Sequence, residues 1–409
     1  MNKVMLEKYA DLIVKTGINL QKGQILVIKS PVDCAYFTRE IAQIAYEEGA
    51  KEVAISWRDD LFSRIRFLHA PEEVFEEYPE WEKEFYVSYS RQGAAFLIIL
   101  SEDPEIMKGV NPERIIKYTR TAETAVEECR DRLMSNKIPW CAVAIPSAAW
   151  AIKVFPELSE AEAVEKLWEE ILKTVRVDTE DPAAAWKKHK SNLKRSMDFL
   201  DSNSFKLLHY KNSMGTDLRV ELPNGHIWIG GSEYTQGGIE FTANMPTEEV
   251  FTLPQKSGVN GKVVSTKPLS CNGNIIDKFS MTFKDGRIVD YTAEKGYDTL
   301  KSIIETDEGS HYLGEVALVP YDSPISKSGI LFYNTLFDEN ASCHLAIGKA
   351  YLKCIENSGN MTKEQLENAG ANNSLIHVDF MIGSRDLEIT GITAEGKKVP
   401  VFRNGNFAF

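Results

Sequence analysis

Four short runs that are apolar at nearly every position constrain the first half of this chain more than any other feature. They are QILVIKS (24–30), EVAISW (52–57), AAFLIIL (94–100) and CAVAIP (141–146), and helix-length segments lie between them. A strand without a polar alternate has no side to turn to water. It must be covered on both faces, which is the condition of a parallel sheet in a βα alternation. Residues 1 to about 200 are therefore expected to form an α/β domain with a mostly parallel, doubly wound sheet. Met5, Tyr9, Leu12 and Ile13 share one face of a helix over 4–15. AYFTREIAQIAYEEGA reads as a helix ended by Gly49, and a long polar helix is expected over about 112–135. Two more helices are expected at 159–175 and 181–200. The second carries Lys187, Lys188, Lys190, Lys194 and Arg195, which read as a solvated face.

The turn after the first run is KSPVDCAY, without the GxGxxG that lets a backbone approach a pyrophosphate. No GxxxxGK[ST] occurs either; GVNGKV at 258–263 has the wrong spacing. The first domain thus reads as a scaffold or dimerisation domain, and an oxidoreductase or transferase built on it lacks its motif.

From about residue 204 the pattern changes to alternating and β-branched segments such as DLRVEL and HIWIGG. Asp285-Gly286 between two alternating runs is a strong hairpin signal. Helices are expected only at about 296–306, 340–355 and 362–369. Residues 201–409 are therefore read as an α+β, β-rich second domain, and 409 residues exceed one ordinary core.

A formal net charge of −13 disfavours a nucleic-acid partner. FLIIL (96–100) has the length of a buried strand, not of a membrane span. The opening MNKVMLEKYADLIVKTG carries Glu7 and Asp11 and does not read as a signal peptide. Six dispersed cysteines with no CxxC pair fit free thiols in a reducing cytoplasm.

The second domain holds the residues with chemistry. His377 and Asp379 are two apart in the apolar segment LIHVDF, so in a strand both point to one face while Val378 and Phe380 point to the other. They could hold a metal or form a hydrogen-bonded pair at a strand end. Glu315 lies among apolar residues in HYLGEVALVP, where a carboxylate needs a salt bridge or a metal. ENASCHLAIGKAY reads as a helix, with His344 and Tyr351 two turns apart on one face. Glu248 and Glu249 follow Pro246 and Thr247, as acids do in the first turn of a helix. No HExxH or GxSxG is present, so a helical zinc protease or a serine hydrolase lacks its local signature.

Taken with their flanking residues, NMPTEEVFTLP, GEVALV, DENASCHLAIGKAY and IHVDFMIG resemble the aminopeptidase T / aminopeptidase S family of metallo-aminopeptidases, as does the opening LQKGQILVIKSP. The resemblance spans most of the chain. It implies an α/β N-terminal domain and a C-terminal domain holding two divalent metal ions, cobalt, zinc or magnesium. By the resemblance the ligands are Glu249, Glu315, His344, Tyr351, His377 and Asp379, with Glu315 as the bridge. It also implies a cytoplasmic homodimer acting on peptides with a free N-terminus, while the charge and the short apolar runs point to no nucleic-acid or membrane partner.

The residues are chemically suited to that role. Two divalent ions against three ionised carboxylates leave roughly one positive charge, which acidifies a bridging water to hydroxide near neutral pH. Glu248 and Glu339 are the nearest spare acids, each a candidate to anchor the substrate amine or to act as general base. Tyr351, if not a ligand, could donate to the oxyanion. The rival expectation is a non-catalytic protein that binds peptides or a small ligand, with the His–Asp pair purely structural.

Overall fold

A computed structural model of the chain describes residues 3–101, 103–271 and 274–409. Two compact units emerge, Met1–Lys188 with Ser232–Pro246 and His189–Gly231 with Thr247–Phe409. The division falls within the helix Pro182–Asn203.

In the first unit, β1 (Ile25–Pro31), β2 (Glu52–Arg58), β3 (Ala95–Leu100) and β4 (Trp140–Ala144) are all parallel, in the order β2-β1-β3-β4. The short strand Asn244–Met245 adds in parallel beyond β4. Leu26, Val27, Ile28, Leu97 and Val143 are fully buried, as strands covered on both faces require. The helix Ala35–Glu47 ends as expected, with Gly49 at φ +92° beyond it. The helix expected over 112–135 is instead two, Pro112–Ala125 and Glu127–Met134, separated at Val126. Thr121 and Thr124 turn their hydroxyls back onto the carbonyls of Lys117 and Arg120, a contact that bends and weakens a helix.

The second unit is built mainly from antiparallel strands. In its nine-stranded sheet the strands Asn274–Lys284 and Arg287–Lys295 form the expected hairpin. Asp285 (φ +50°) and Gly286 (φ +83°) both adopt the left-handed conformation that a two-residue turn matching the strand twist requires. Helices Tyr297–Ile304 and Lys363–Asn368 lie where the sequence placed them. A separate four-stranded antiparallel sheet has the order Val250–Thr252, Leu313–Leu318, His344–Gly348, His377–Met381.

Two expectations are corrected here. His344–Gly348 is the third strand of this sheet and not part of a helix over 340–355; short 3-10 turns, Glu339–Ala341 and Leu352–Cys354, lie on either side of it. Strands on both sides satisfy its backbone, an option invisible to helical spacing. Thr247-Glu248-Glu249 does not open a helix either. The Glu248 amide donates to Asn340 Oδ1 (2.6 Å), and the chain continues into the strand Val250–Thr252. Among the described residues, no helix is long and apolar enough to cross a membrane.

Candidate metal centre

The register of the four-stranded sheet assembles the site. Ala346 lies opposite Glu315 on one side and Asp379 on the other, while His344 lies opposite Ala317 and Met381. Gly348 lies opposite His377. Directly paired residues share a face, as do residues two apart along a strand. One face therefore presents Glu315, His344, His377 and Asp379, with the small Ala346 and Gly348 between them. The other face carries Val316, Leu318, Leu345, Ile347 and Phe380, all buried in the hydrophobic core of this unit. The sheet thus divides its two faces between stability and chemistry.

Glu249, just before the strand Val250–Thr252, joins this set. Ligand-type atoms of Glu249, Glu315 and His344 lie within 4.8 Å of one another, and so do those of Glu315, His377 and Asp379. Glu315 is common to both groups. His344 Nε2 lies 3.1 Å from Glu249 Oε2 and 3.5 Å from Glu315 Oε1. His377 Nε2 lies 3.3 Å from Asp379 Oδ1 and 3.7 Å from Glu315 Oε2. No Lys or Arg among the described residues pairs with Glu249, Glu315 or Asp379, so the salt bridge that could have explained Glu315 is not there.

The tautomers of both histidines follow from their other nitrogen. His344 Nδ1 donates to the Ser342 carbonyl at 3.1 Å, and His377 Nδ1 to the Lys349 carbonyl at 2.7 Å. A carbonyl only accepts, so Nδ1 carries the hydrogen, and Nε2 is the nitrogen turned toward the carboxylates, where its lone pair would bind a cation held between them. Glu249 Oε2 and Asp379 Oδ1, the oxygens nearest these nitrogens, are buried and have no hydrogen-bond partner apart from them. Buried oxygens and imidazole lone pairs that converge without hydrogens between them are matched by a cation. The donor set, carboxylate oxygen and imidazole nitrogen, suits a hard-to-borderline divalent ion, and the residues present fit a pair of such ions sharing Glu315.

Electrostatics agree. Burial lifts the Glu315 carboxyl above its ordinary value, with Asp379 and Glu249 adding repulsion against the opposing pull of His344. Burial opposes charge on His344, but Glu249 and Glu315 outweigh it and hold the imidazole well above its usual range. His377 is likewise disfavoured as a cation by burial, yet Asp379 and Glu315 push it up to about 10. Without metal, protons take the place of cations in the cluster.

The remaining candidates fall differently. Glu339 has its carboxyl raised well above normal by burial and then by Glu249 and Asp379, so it faces the same cluster. With Asp379 it lines a cavity of about 40 Å³ whose other walls include Pro268, Leu269, Tyr333 and Met381. Glu248 is buried with its carboxylate 3.8 Å from His189 Nε2. Tyr351 lies beyond the strand His344–Gly348, its ring edge-on to Phe251 at 5.6 Å. Asn340 drew no attention as a lone amide in ENAS. It ties the two acidic segments together, accepting from Glu248 N and donating to Leu336 O (3.0 Å).

Comparison with known proteins places this geometry in context. The family model described as thermophilic metalloprotease (M29) matches residues 2–407. Aminopeptidase AmpS of Bacillus subtilis (strain 168) is 53% identical over 404 residues, covering 99% of this chain and 98% of that protein. Aminopeptidase T of Thermus thermophilus is 39% identical over 402 residues, with 98% of each chain covered. The solved structure of wild-type AmpT from Thermus thermophilus superimposes with a TM-score of 0.93 at 38% identity, covering 100% of both chains.

Proposed function

The chain belongs to the thermophilic metalloprotease (M29) family, and from that premise we propose that it removes N-terminal residues from peptides at a centre of two divalent ions. The observation that carries this reading is the pair of histidines whose Nε2 atoms converge with buried carboxylate oxygens that have no other partner, around a shared Glu315. Glu249, Glu315 and His344 would hold one ion, and Glu315, His377 and Asp379 the other. Cobalt, zinc or magnesium are the candidates. The chemistry such a pair would supply is the acidification of a water and the polarisation of the scissile carbonyl.

This chain's own residues set the rest. The backbone carbonyls of Ser342 and Lys349 fix both rings in the tautomer that leaves Nε2 available. Glu339, on the cavity wall, is the acid left over once the two groups are satisfied. It is suited to take a proton from the attacking water or to hold the substrate's ammonium group. Glu248, beside His189, is a weaker candidate for either role. Tyr351 adds a phenol as ligand or as donor to the oxyanion. The unit His189–Gly231 with Thr247–Phe409 is the catalytic one, the other unit a scaffold, and a cytoplasmic homodimer completes the proposal.

The test is hydrolysis of leucine p-nitroanilide and its N-acetylated form by chelator-stripped protein, with and without added cobalt or zinc. Metal-restored cleavage of the free-amine substrate alone is expected. Equal cleavage of both, or cleavage indifferent to metal, would refute the reading.

A further inference from the structure

The carbonyl that orients His377 belongs to a backbone segment, Gly348-Lys349-Ala350, whose three amide hydrogens are all held. Gly348 N donates to Tyr312 O (2.8 Å), Lys349 N to Ile376 O (2.7 Å) and Ala350 N to Asn372 O (2.9 Å). From the other side, the Asn372 side chain donates through Nδ2 to Gly348 O (2.7 Å) and to Gly309 O (2.8 Å). Asn372 is 1% exposed. Its side-chain amide thus holds Gly348 and its backbone carbonyl holds Ala350, on either side of Lys349, while Lys349 O is left to accept from His377 Nδ1 at 2.7 Å.

The space for this clamp is made by missing side chains. A Cβ at Gly314, next to Glu315, would collide with the carbonyl oxygens of both Lys349 and Gly348. The sheet register shifts between Leu313 and Glu315, so Gly314 sits at an irregularity where the strand lets this segment approach. Gly348 has φ +104°, and a Cβ there would strike Ile376 O. His344 takes its orientation from a different carbonyl, that of Ser342. The clamp thus serves one of the two candidate ligand groups and not the other.

We propose that Asn372, with Gly314 opposite it, is a positioning residue that tunes the Glu315/His377/Asp379 site selectively by fixing the Lys349 carbonyl. The inference rests on the metal reading above. Disturbing a hydrogen-bond partner behind a ligating histidine costs metal affinity, typically about 10–100-fold. For Asn372→Ala one of two ions should bind about 10–100-fold more weakly, the other within about twofold of wild type, and excess metal should restore turnover.

The experiment is calorimetric titration of chelator-stripped wild type, Asn372→Ala and His377→Ala with zinc or cobalt, folding being verified by circular dichroism. Asn372→Asp, which keeps the volume but replaces the donor with an acceptor, serves if the alanine variant does not fold. His377→Ala identifies which binding step belongs to that site. Weakening of that same step alone supports the proposal. Two wild-type steps left unchanged in a folded Asn372 variant, or both steps weakened equally, would overturn the clamp while leaving the metal reading intact. Wild type that takes up no metal would overturn the metal reading and the clamp with it.

Discussion

The parallel sheet of the first unit and the four-stranded antiparallel sheet of the second use their strands in opposite ways. In β1 and β3 both faces are buried against apolar neighbours, and every inward position serves packing. In the strand His344–Gly348 all five residues are buried as well, yet only Leu345 and Ile347 belong to the hydrophobic core. The alternate positions, His344, Ala346 and Gly348, face carboxylates and imidazoles. Burial alone therefore does not distinguish a purely structural strand from one that lines the candidate metal centre; the chemistry of alternate residues does.

The largest effect that would sharpen this contrast is at the shared carboxylate. Glu315→Ala should lower kcat/KM by about 1000-fold or more, the scale of several kcal/mol of lost charge stabilisation, in a protein that stays folded. A variant that keeps near-wild-type kcat/KM at saturating metal would break the comparison. In the parallel sheet the outcome should be the reverse. Leu97→Ala, at a fully buried position of β3, should cost about 2–5 kcal/mol of stability in urea unfolding while the folded fraction keeps its turnover. Loss of turnover in a fully folded Leu97→Ala protein would show that the two sheets are not so separate.

A smaller effect is expected at Ala346. Its added bulk between Glu315 and Asp379 should make Ala346→Val lose about 10-fold in metal affinity, with about 1–3 kcal/mol or less of destabilisation. Titration with zinc separates the two quantities. Unchanged affinity would mean that small residues on this face are not needed to make room.

The pH dependence of the metal-free protein probes the same face without a metal. The folded-state His377 is pushed up to about 10 from 6.5, so its contribution to stability is fully present below about pH 6.5 and fades as pH rises through 10. Metal-free wild type should lose stability over that window, and His377→Ala should lose less. Identical profiles for the two proteins would show that the carboxylates do not hold the imidazolium.

How much of this was legible in the sequence divides along the same line. The four parallel strands could be read directly, because a run that is apolar on both faces has few other ways to fold. His377 and Asp379 could be placed on one face because their segment alternates. The strand His344–Gly348 was misread as a helix: HLAIG is short, apolar on both sides of His344, and seven residues from Tyr351, which suits helical spacing equally well. Its strand character comes from partners at 313–318 and 377–381, pairings that no local pattern reveals. The clamp at Asn372 was equally hidden, since an asparagine in GANNS reads only as a turn residue.

The measurement that tests the central claim most directly is the metal content of the wild-type chain after equilibrium dialysis against zinc or cobalt, with Glu315→Gln measured beside it. About two ions per wild-type chain, and a loss at both sites in the variant, is the expected result. A folded wild-type chain that retains none, or a variant that retains both, would contradict the reading of Glu315 as the carboxylate shared by two metal ions.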